Sequence, residues 1–196
     1  MFLETIRIEN GLICLEELHL ARIKRTLWEN CKQSSIFRLN FPIPPKFQHG
    51  LVKCRLLYDE QTIREVNFEH YHPRYIKRLK LVEAPQLNYC FKYANRSSLE
   101  ALRVQYPFYD EILITQQGYL TDTTFSNIIL FDGKQYVTPE TCLLSGVQRQ
   151  HLLARGKIQL KKIHQNDLKA YSFLFLINAM LNWENKIGIN VDCIDL

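Results

Sequence analysis

Apolar and polar residues alternate through 2–8, FLETIRI, with the period of two that a half-buried strand requires. Asn10-Gly11 is a hairpin turn signal, and 12–15 returns as the partner strand. From 16 to 28 the period becomes helical, with Leu20, Ile23, Leu27 and Trp28 on one side and Arg22 and Lys24 elsewhere on the surface. FPIPP at 41–45 is a break, after which 52–58 and 63–71 read as paired strands ended by His72-Pro73.

A second pattern begins near residue 80, with strands over 80–83 and 88–93. Ser97 and Glu100 have capping-box spacing at the start of a helix that Pro107 closes. Strands follow over 111–115, 119–123 and 128–131, and Asp132-Gly133 turns the chain into 135–137. Gly146 precedes a helix over 147–154, Gly156 suits its C-terminal cap, and 158–163 and 172–177 supply further strands. These elements predict a mixed α/β chain of two lobes: an N-terminal α/β lobe over 1–79 and a C-terminal sheet lobe over 80–196.

With 196 residues and 46% apolar content the chain can bury one good core or two small lobes. The six cysteines contain no C-x-x-C pair and no apolar export segment follows the start, so a reducing cytoplasm is the expected compartment. The longest purely apolar run, 173–177, falls far short of the ~18 residues of a membrane span, so no bilayer partner is expected. The net charge of +5 is spread, with one concentration at Arg74, Lys77, Arg78 and Lys80 that reads as a solvated face. No stacking-aromatic motif or recognition-helix pattern accompanies it, so nucleic acid is not an expected partner. His70 and His72 share one strand face without an evident third ligand, and they read as surface histidines with no metal.

Three stretches carry candidate chemistry. In LNYCFKYANR, Leu87, Tyr89, Phe91 and Tyr93 face one way and Lys92 the other. An inward lysine there would be desolvated, and burial lowers an amine's pKa from about 10.4 toward values where the neutral form attacks a carbonyl. The same spacing fits an edge strand whose lysine points into water. In GYLTDTTFSN (118–127), Asp122 suits a protonated pyridine nitrogen, and Thr123, Thr124 and Ser126 suit phosphate oxygens; an Asx-type turn is the alternative. In LLSGVQR (143–149), a glycine before a helix offers amides and a dipole end to an anion.

Together H-L-A-R (19–22), K-Y-A-N-R (92–96), G-Y-L-T-D-T-T-F-S-N (118–127), T-P (138–139), L-L-S-G-V-Q-R (143–149) and N-A-M (178–180) resemble the class IV aminotransferase family, the fold-type-IV pyridoxal-phosphate enzymes. The resemblance runs over nearly the whole chain and implies the D-amino-acid aminotransferase-like fold, with the cofactor between the lobes and most of its site in 80–196. It implies that Lys92 carries the cofactor and moves protons, and that Arg22 with the amides of Val147 and Gln148 holds the phosphate. Asp122, Thr123 and Thr124 then complete the cradle, with Arg96 and Asn178 toward a small-molecule amine substrate. A homodimer is implied too. K-x-x-N-R and N-A-x look more like the aminodeoxychorismate lyase branch than the branched-chain or D-amino-acid aminotransferase branches. Two departures stand out: the family usually has glutamate where Asp122 stands, one methylene longer, and this chain is short, trimmed at its start and between Arg22 and Lys92.

Overall fold

In the computed structural model, which describes residues 1–32, 38–184 and 188–196, the FLETIRI alternation becomes β1 (Phe2–Glu9). Asn10 and Gly11 take the positive φ values, 50° and 80°, of a tight hairpin turn, and β1 folds back on β2 (Leu12–Ile13). On its other edge β1 runs antiparallel to β3 (Leu51–Tyr58), in register from Phe2↔Tyr58 to Glu9↔Leu51, and β3 pairs with β4 (Ile63–His70). The sheet order is β2-β1-β3-β4. Ile23 and Leu27 of α1 (Glu16–Cys31) join Ile6, Ile8, Val52, Cys54 and Leu56 of the sheet in a single core.

Two residues of α1 depart from the expected pattern. Arg22 lies on the buried face and Trp28 is 56% exposed. For Arg22 the reason is a carboxylate on the core side of β1, described below, which offsets the cost of burying the guanidinium.

The chain divides into two compact units, Met1–Pro73 with Phe91–Asn95, and Arg74–Cys90 with Arg96–Leu196. The division falls after Pro73 rather than after 79, and the segment around Lys92 goes with the first unit. Backbone hydrogen bonds explain this: Leu3 N donates to Lys92 O at 2.8 Å, and Ala94 N donates to Met1 O at 3.2 Å. The ring of Tyr93 stacks on Phe2 at 5.7 Å. The continuous strand expected over 88–93 does not form. Only the rung Phe2↔Tyr93 pairs, while the Asn88 side chain accepts from Cys90 N and bends the approach locally.

The second unit holds two sheets. In one, ordered β13-β5-β6-β7, β5 (Leu79–Glu83) runs parallel to β6 (Glu111–Gln116), β6 antiparallel to β7 (Tyr119–Thr123), and β13 (Ile194–Asp195) lies beside β5. α2 (Ser97–Val104) precedes β6, and its N-cap is Arg96, one residue before the expected Ser97, with no cap from the Arg96 side chain. The other sheet is ordered β10 (Gln159–Lys161), β9 (Tyr136–Pro139), β8 (Asn127–Phe131), β11 (Phe173–Ile177), β12 (Gly188–Asn190). α3 (Val147–Ala154) packs Leu152 against Ile129, Ile158 and Ile177.

GYLTDTTFSN therefore does not close a simple hairpin. β7 pairs with β6, and β8 pairs with β9 and β11, so the polar run is the corner at which the chain leaves one sheet for the next. Among the described residues no helix is long and apolar enough to cross a membrane. His70 lies against the Phe47 ring at 5.3 Å.

Candidate functional site

Asp122 sits near the end of β7, 4% exposed, at that corner. Its Oδ1 accepts from Asn127 Nδ2 at 2.8 Å and its Oδ2 from Leu144 N at 2.9 Å. The same Asn127 amide donates to Leu144 O at 2.8 Å. Burial pushes the Asp122 carboxyl up to about 6, although the Leu144 amide, the Asn127 amide and the charge of Arg149 all pull the other way. Each carboxylate oxygen has a second lone pair, so a further N–H donor can still be accepted.

Just after Leu144 the chain enters α3 through Gly146, whose backbone is extended and which offers no side-chain cap. Val147 and Gln148 are 3% and 5% exposed. The first N–H groups of a helix have no intrahelical acceptor, and here they lie in a buried first turn at the positive end of the dipole. Gly146 is needed for a second reason: a Cβ there would collide with Asn127 Oδ1. Arg149 fixes the helix from behind, donating to Thr138 Oγ1 and Pro139 O.

The hydroxyls of the corner are engaged internally. Thr123 Oγ1 accepts from Ser126 N at 3.0 Å and lies 2.8 Å from Ser126 Oγ, closing a tight turn with Thr123 N donating to Ser126 O. Thr124 Oγ1 donates to both oxygens of buried Glu111 at 2.9 Å. The Thr123 hydroxyl thus closes the turn and the Thr124 hydroxyl is engaged by the Glu111 carboxylate, so both of the expected phosphate donors have partners within the chain. Arg96 donates to Thr124 O at 2.9 Å, and Asn178 donates to Phe125 O while its Oδ1 accepts from Met180 N and Leu181 N. Both shape the corner from outside it.

In the first unit, Glu4 faces the core from β1, fully buried. It accepts from Arg22 Nε at 2.8 Å and Nη2 at 2.5 Å, and meets His19 Nδ1 at 2.6 Å. Burial alone would raise this carboxyl, but the charge of Arg22 and the hydrogen bonds from His19 and Arg22 hold it down to about 2. His19 is itself fully buried, and burial pushes its ring toward the neutral form against the pull of Glu4. Lys92, half-buried, is near enough that its charge also disfavours a charged ring. Arg22, expected on a phosphate, is thus placed on a carboxylate from β1.

The residues that sequence reasoning did not single out are Glu4, His19, Asn127, Glu111 and Gly146 in its packing role. Glu4 had a signal: with Phe2, Ile6 and Ile8 it occupies the core-facing positions of β1, where an ionisable residue demands a partner. The arrangement suits the pyridoxal phosphate implied by the motifs. A buried helix start without a cap matches phosphate oxygens, and a buried carboxylate with an open lone pair matches a protonated ring nitrogen.

The profile of the amino-transferase class IV family matches residues 58–184. A Haemophilus influenzae protein of uncharacterised function is 36% identical over 181 residues, 90% of this chain and 96% of the other. The crystal structure of a candidate 4-amino-4-deoxychorismate lyase from Haemophilus somnus superposes with a TM-score of 0.81 at 30% identity, covering 92% of this chain and 96% of that one. A hypothetical aminotransferase from Mycobacterium tuberculosis in its PLP-bound form shares the fold at a TM-score of 0.72 and 16% identity, over 96% of this chain and 79% of that one. With nearly two thirds of its length under the family profile and its fold that of the fold-type-IV aminotransferase structures, this chain belongs to the amino-transferase class IV family.

Proposed function

We propose that this chain is a pyridoxal-phosphate-dependent lyase that removes pyruvate from aminodeoxychorismate and leaves p-aminobenzoate. The observation that carries the cofactor assignment is buried Asp122, held by Asn127 and Leu144 N beside the uncapped start of α3. The bound cofactor supplies an electron sink conjugated to the substrate nitrogen. Asp122 keeps the ring nitrogen protonated, and the amides of Val147 and Gln148 take phosphate oxygens. Arg22 carries five N–H donors, more than the Glu4 carboxylate engages, and in this reading its guanidinium serves the phosphate as well. Lys92 anchors the cofactor through its amine. Displaced by substrate, that amine takes the proton from the carbon next to the substrate nitrogen and returns one to the departing enolpyruvyl group, which leaves as pyruvate.

Support for lyase over aminotransferase comes from K-Y-A-N-R and N-A-M and from the similarity to the Haemophilus somnus protein. The test incubates the protein and pyridoxal phosphate with aminodeoxychorismate, following pyruvate and p-aminobenzoate. A parallel reaction offers branched-chain or D-amino acids with 2-oxoglutarate, following glutamate. The lyase reading expects product only in the first. Glutamate without p-aminobenzoate makes the chain an aminotransferase, and silence in both, with cofactor bound, makes it a cofactor-binding relative without turnover.

A further inference from the structure

The side chain of His19 is wholly buried, and among the described residues its Nε2 has no hydrogen-bond partner. A buried polar nitrogen without a partner is costly, so its orientation calls for an explanation. The ring is not free to turn and relieve the cost, because Nδ1 lies 2.6 Å from Glu4 Oε2. Glu4 stays ionised down to about pH 2 and is acceptor-only, so Nδ1 must carry the proton. In a neutral ring that leaves Nε2 as a bare lone pair: an acceptor, in a buried site, awaiting a donor.

The charged groups around this ring come from three segments of the first unit. Glu4 is on β1, Arg22 lies one turn further along α1, and Lys92 is on the segment bonded to β1 at Leu3. Arg22 is directed at Glu4 through two of its nitrogens. Of the two cations, Lys92 has the flexible stem and the three rotatable N–H donors that can be brought to a fixed acceptor. A phosphate oxygen fits Nε2 poorly, since an ionised phosphate also only accepts.

We propose that His19 is a positioning residue for Lys92: Glu4 orients the ring, and Nε2 accepts a hydrogen bond from Lys92 Nζ, aiming the amine when it is not bonded to the cofactor. Glu4, His19 and Lys92 then form a line of donor and acceptor in which each group fixes the next, while Arg22 keeps Glu4 ionised. The role in turnover rests on Lys92 being the cofactor lysine; the hydrogen bond itself does not.

The test reads the ring directly. Full-length protein labelled with nitrogen-15 in histidine is compared with its Lys92→Met variant by NMR. His19 is assigned by the signal lost in His19→Phe, or in His19→Gln should the phenylalanine variant not fold. The expected wild-type signature is a protonated Nδ1 and an unprotonated Nε2 shifted by an accepted hydrogen bond. In Lys92→Met, Nε2 should move toward the position of an unbonded ring nitrogen while Nδ1 stays where it is. An Nε2 signal indifferent to Lys92→Met, or a ring protonated at Nε2 instead, overturns the inference. A separate measurement follows borohydride trapping of pyridoxal phosphate on Lys92, located by mass spectrometry: loss of aim should slow trapping at least about tenfold in a folded His19 variant. Wild-type trapping on another lysine would sink the functional reading while leaving the ring's hydrogen bond to be decided by NMR alone.

Discussion

Asn127 donates to Asp122 Oδ1 and to Leu144 O, each at 2.8 Å, while Leu144 N returns a bond to Asp122 Oδ2. One amide thus joins the end of β7, the start of β8 and the loop before α3, and it does so around a buried carboxylate. Replacing Asn127 by Ala removes both donations and leaves an oxygen of Asp122 and the carbonyl of Leu144 without them. The expected cost is about 1–3 kcal/mol per group left unsatisfied, read as a lower urea midpoint. The Asp122 carboxyl should rise further, since a donor to its charged form is gone. Unchanged stability would show that water replaces the amide there.

Gly146→Ala tests the close approach. A Cβ at 146 would clash with Asn127 Oδ1, so the amide or the helix start has to shift, at roughly 1–3 kcal/mol as for overpacking. Because the φ of Gly146 is −72°, no backbone strain contributes, and the penalty is steric alone. It should therefore shrink in the Asn127→Ala background, where the colliding oxygen is absent. A double-mutant cycle measured by urea unfolding reads this directly, and additive penalties would place the clash elsewhere. Affinity for pyridoxal phosphate, followed by fluorescence, should fall in the single variant as well.

Much of the fold was legible because it is periodic. The alternation of FLETIRI became β1, and Gly146 followed by a helical pattern became α3 over Val147–Ala154. Elements of two or three residues, such as β12 and β13, have too little pattern to be read. The segment before Lys92 alternates like a strand, yet pairs at one rung only, because its neighbour was β1, some ninety residues away in sequence. Asp122 and the helix start stood out in the sequence as candidate chemistry, whereas the contacts that hold them in place did not. Whether a threonine hydroxyl faces a ligand or closes its own turn depends on Ser126 and Glu111 being within reach, and only the folded chain supplies those distances. For the same reason Arg22 read as a surface residue: helical period ranks it by charge, whereas its burial depends on Glu4, eighteen positions earlier.

Arg22→Ala now has two expected effects. A loss of affinity for pyridoxal phosphate follows if the guanidinium serves the phosphate. Independently, Glu4 is left in the core without its main counter-charge, which costs about 3–5 kcal/mol when one partner of a buried pair is removed. Pairing Arg22→Met with Glu4→Gln removes both charges and should recover much of the stability. If cofactor affinity stays low in that folded double variant, Arg22 touches the phosphate; if it recovers, the arginine serves only Glu4. The wild-type pair also sets an acid limit. Glu4 titrates at about 2 folded against 4.5 unfolded, so its stabilisation is present above pH 4.5 and is lost as the pH falls toward 2.

Asp122 should behave oppositely. Its carboxyl titrates at about 6 in the fold against 3.8 unfolded, so between those values the native state holds a proton that the unfolded chain has released. Stability rises with pH only where the unfolded state binds more protons, so here it falls as pH rises from about 4 to about 6 and is then flat; one group shifted by two units contributes at most about 3 kcal/mol. His19, whose ring is pushed toward neutrality by burial, works the other way below its ordinary range, so the total curve mixes signs. Comparison with Asp122→Asn removes the mixture. The variant should fall furthest below wild type near pH 4 and least near pH 7, and parallel curves would mean that Asp122 does not titrate in this window. Adding pyridoxal phosphate to wild type should abolish the fall, because a protonated ring nitrogen beside the carboxylate favours its ionised form. In turnover the same substitution should cost far more than it costs in cofactor affinity, since the amides of Val147 and Gln148 remain while the charge that keeps the ring nitrogen protonated is gone. A variant with full activity would mean that Asp122, one methylene shorter than the family's glutamate, does not reach the ring.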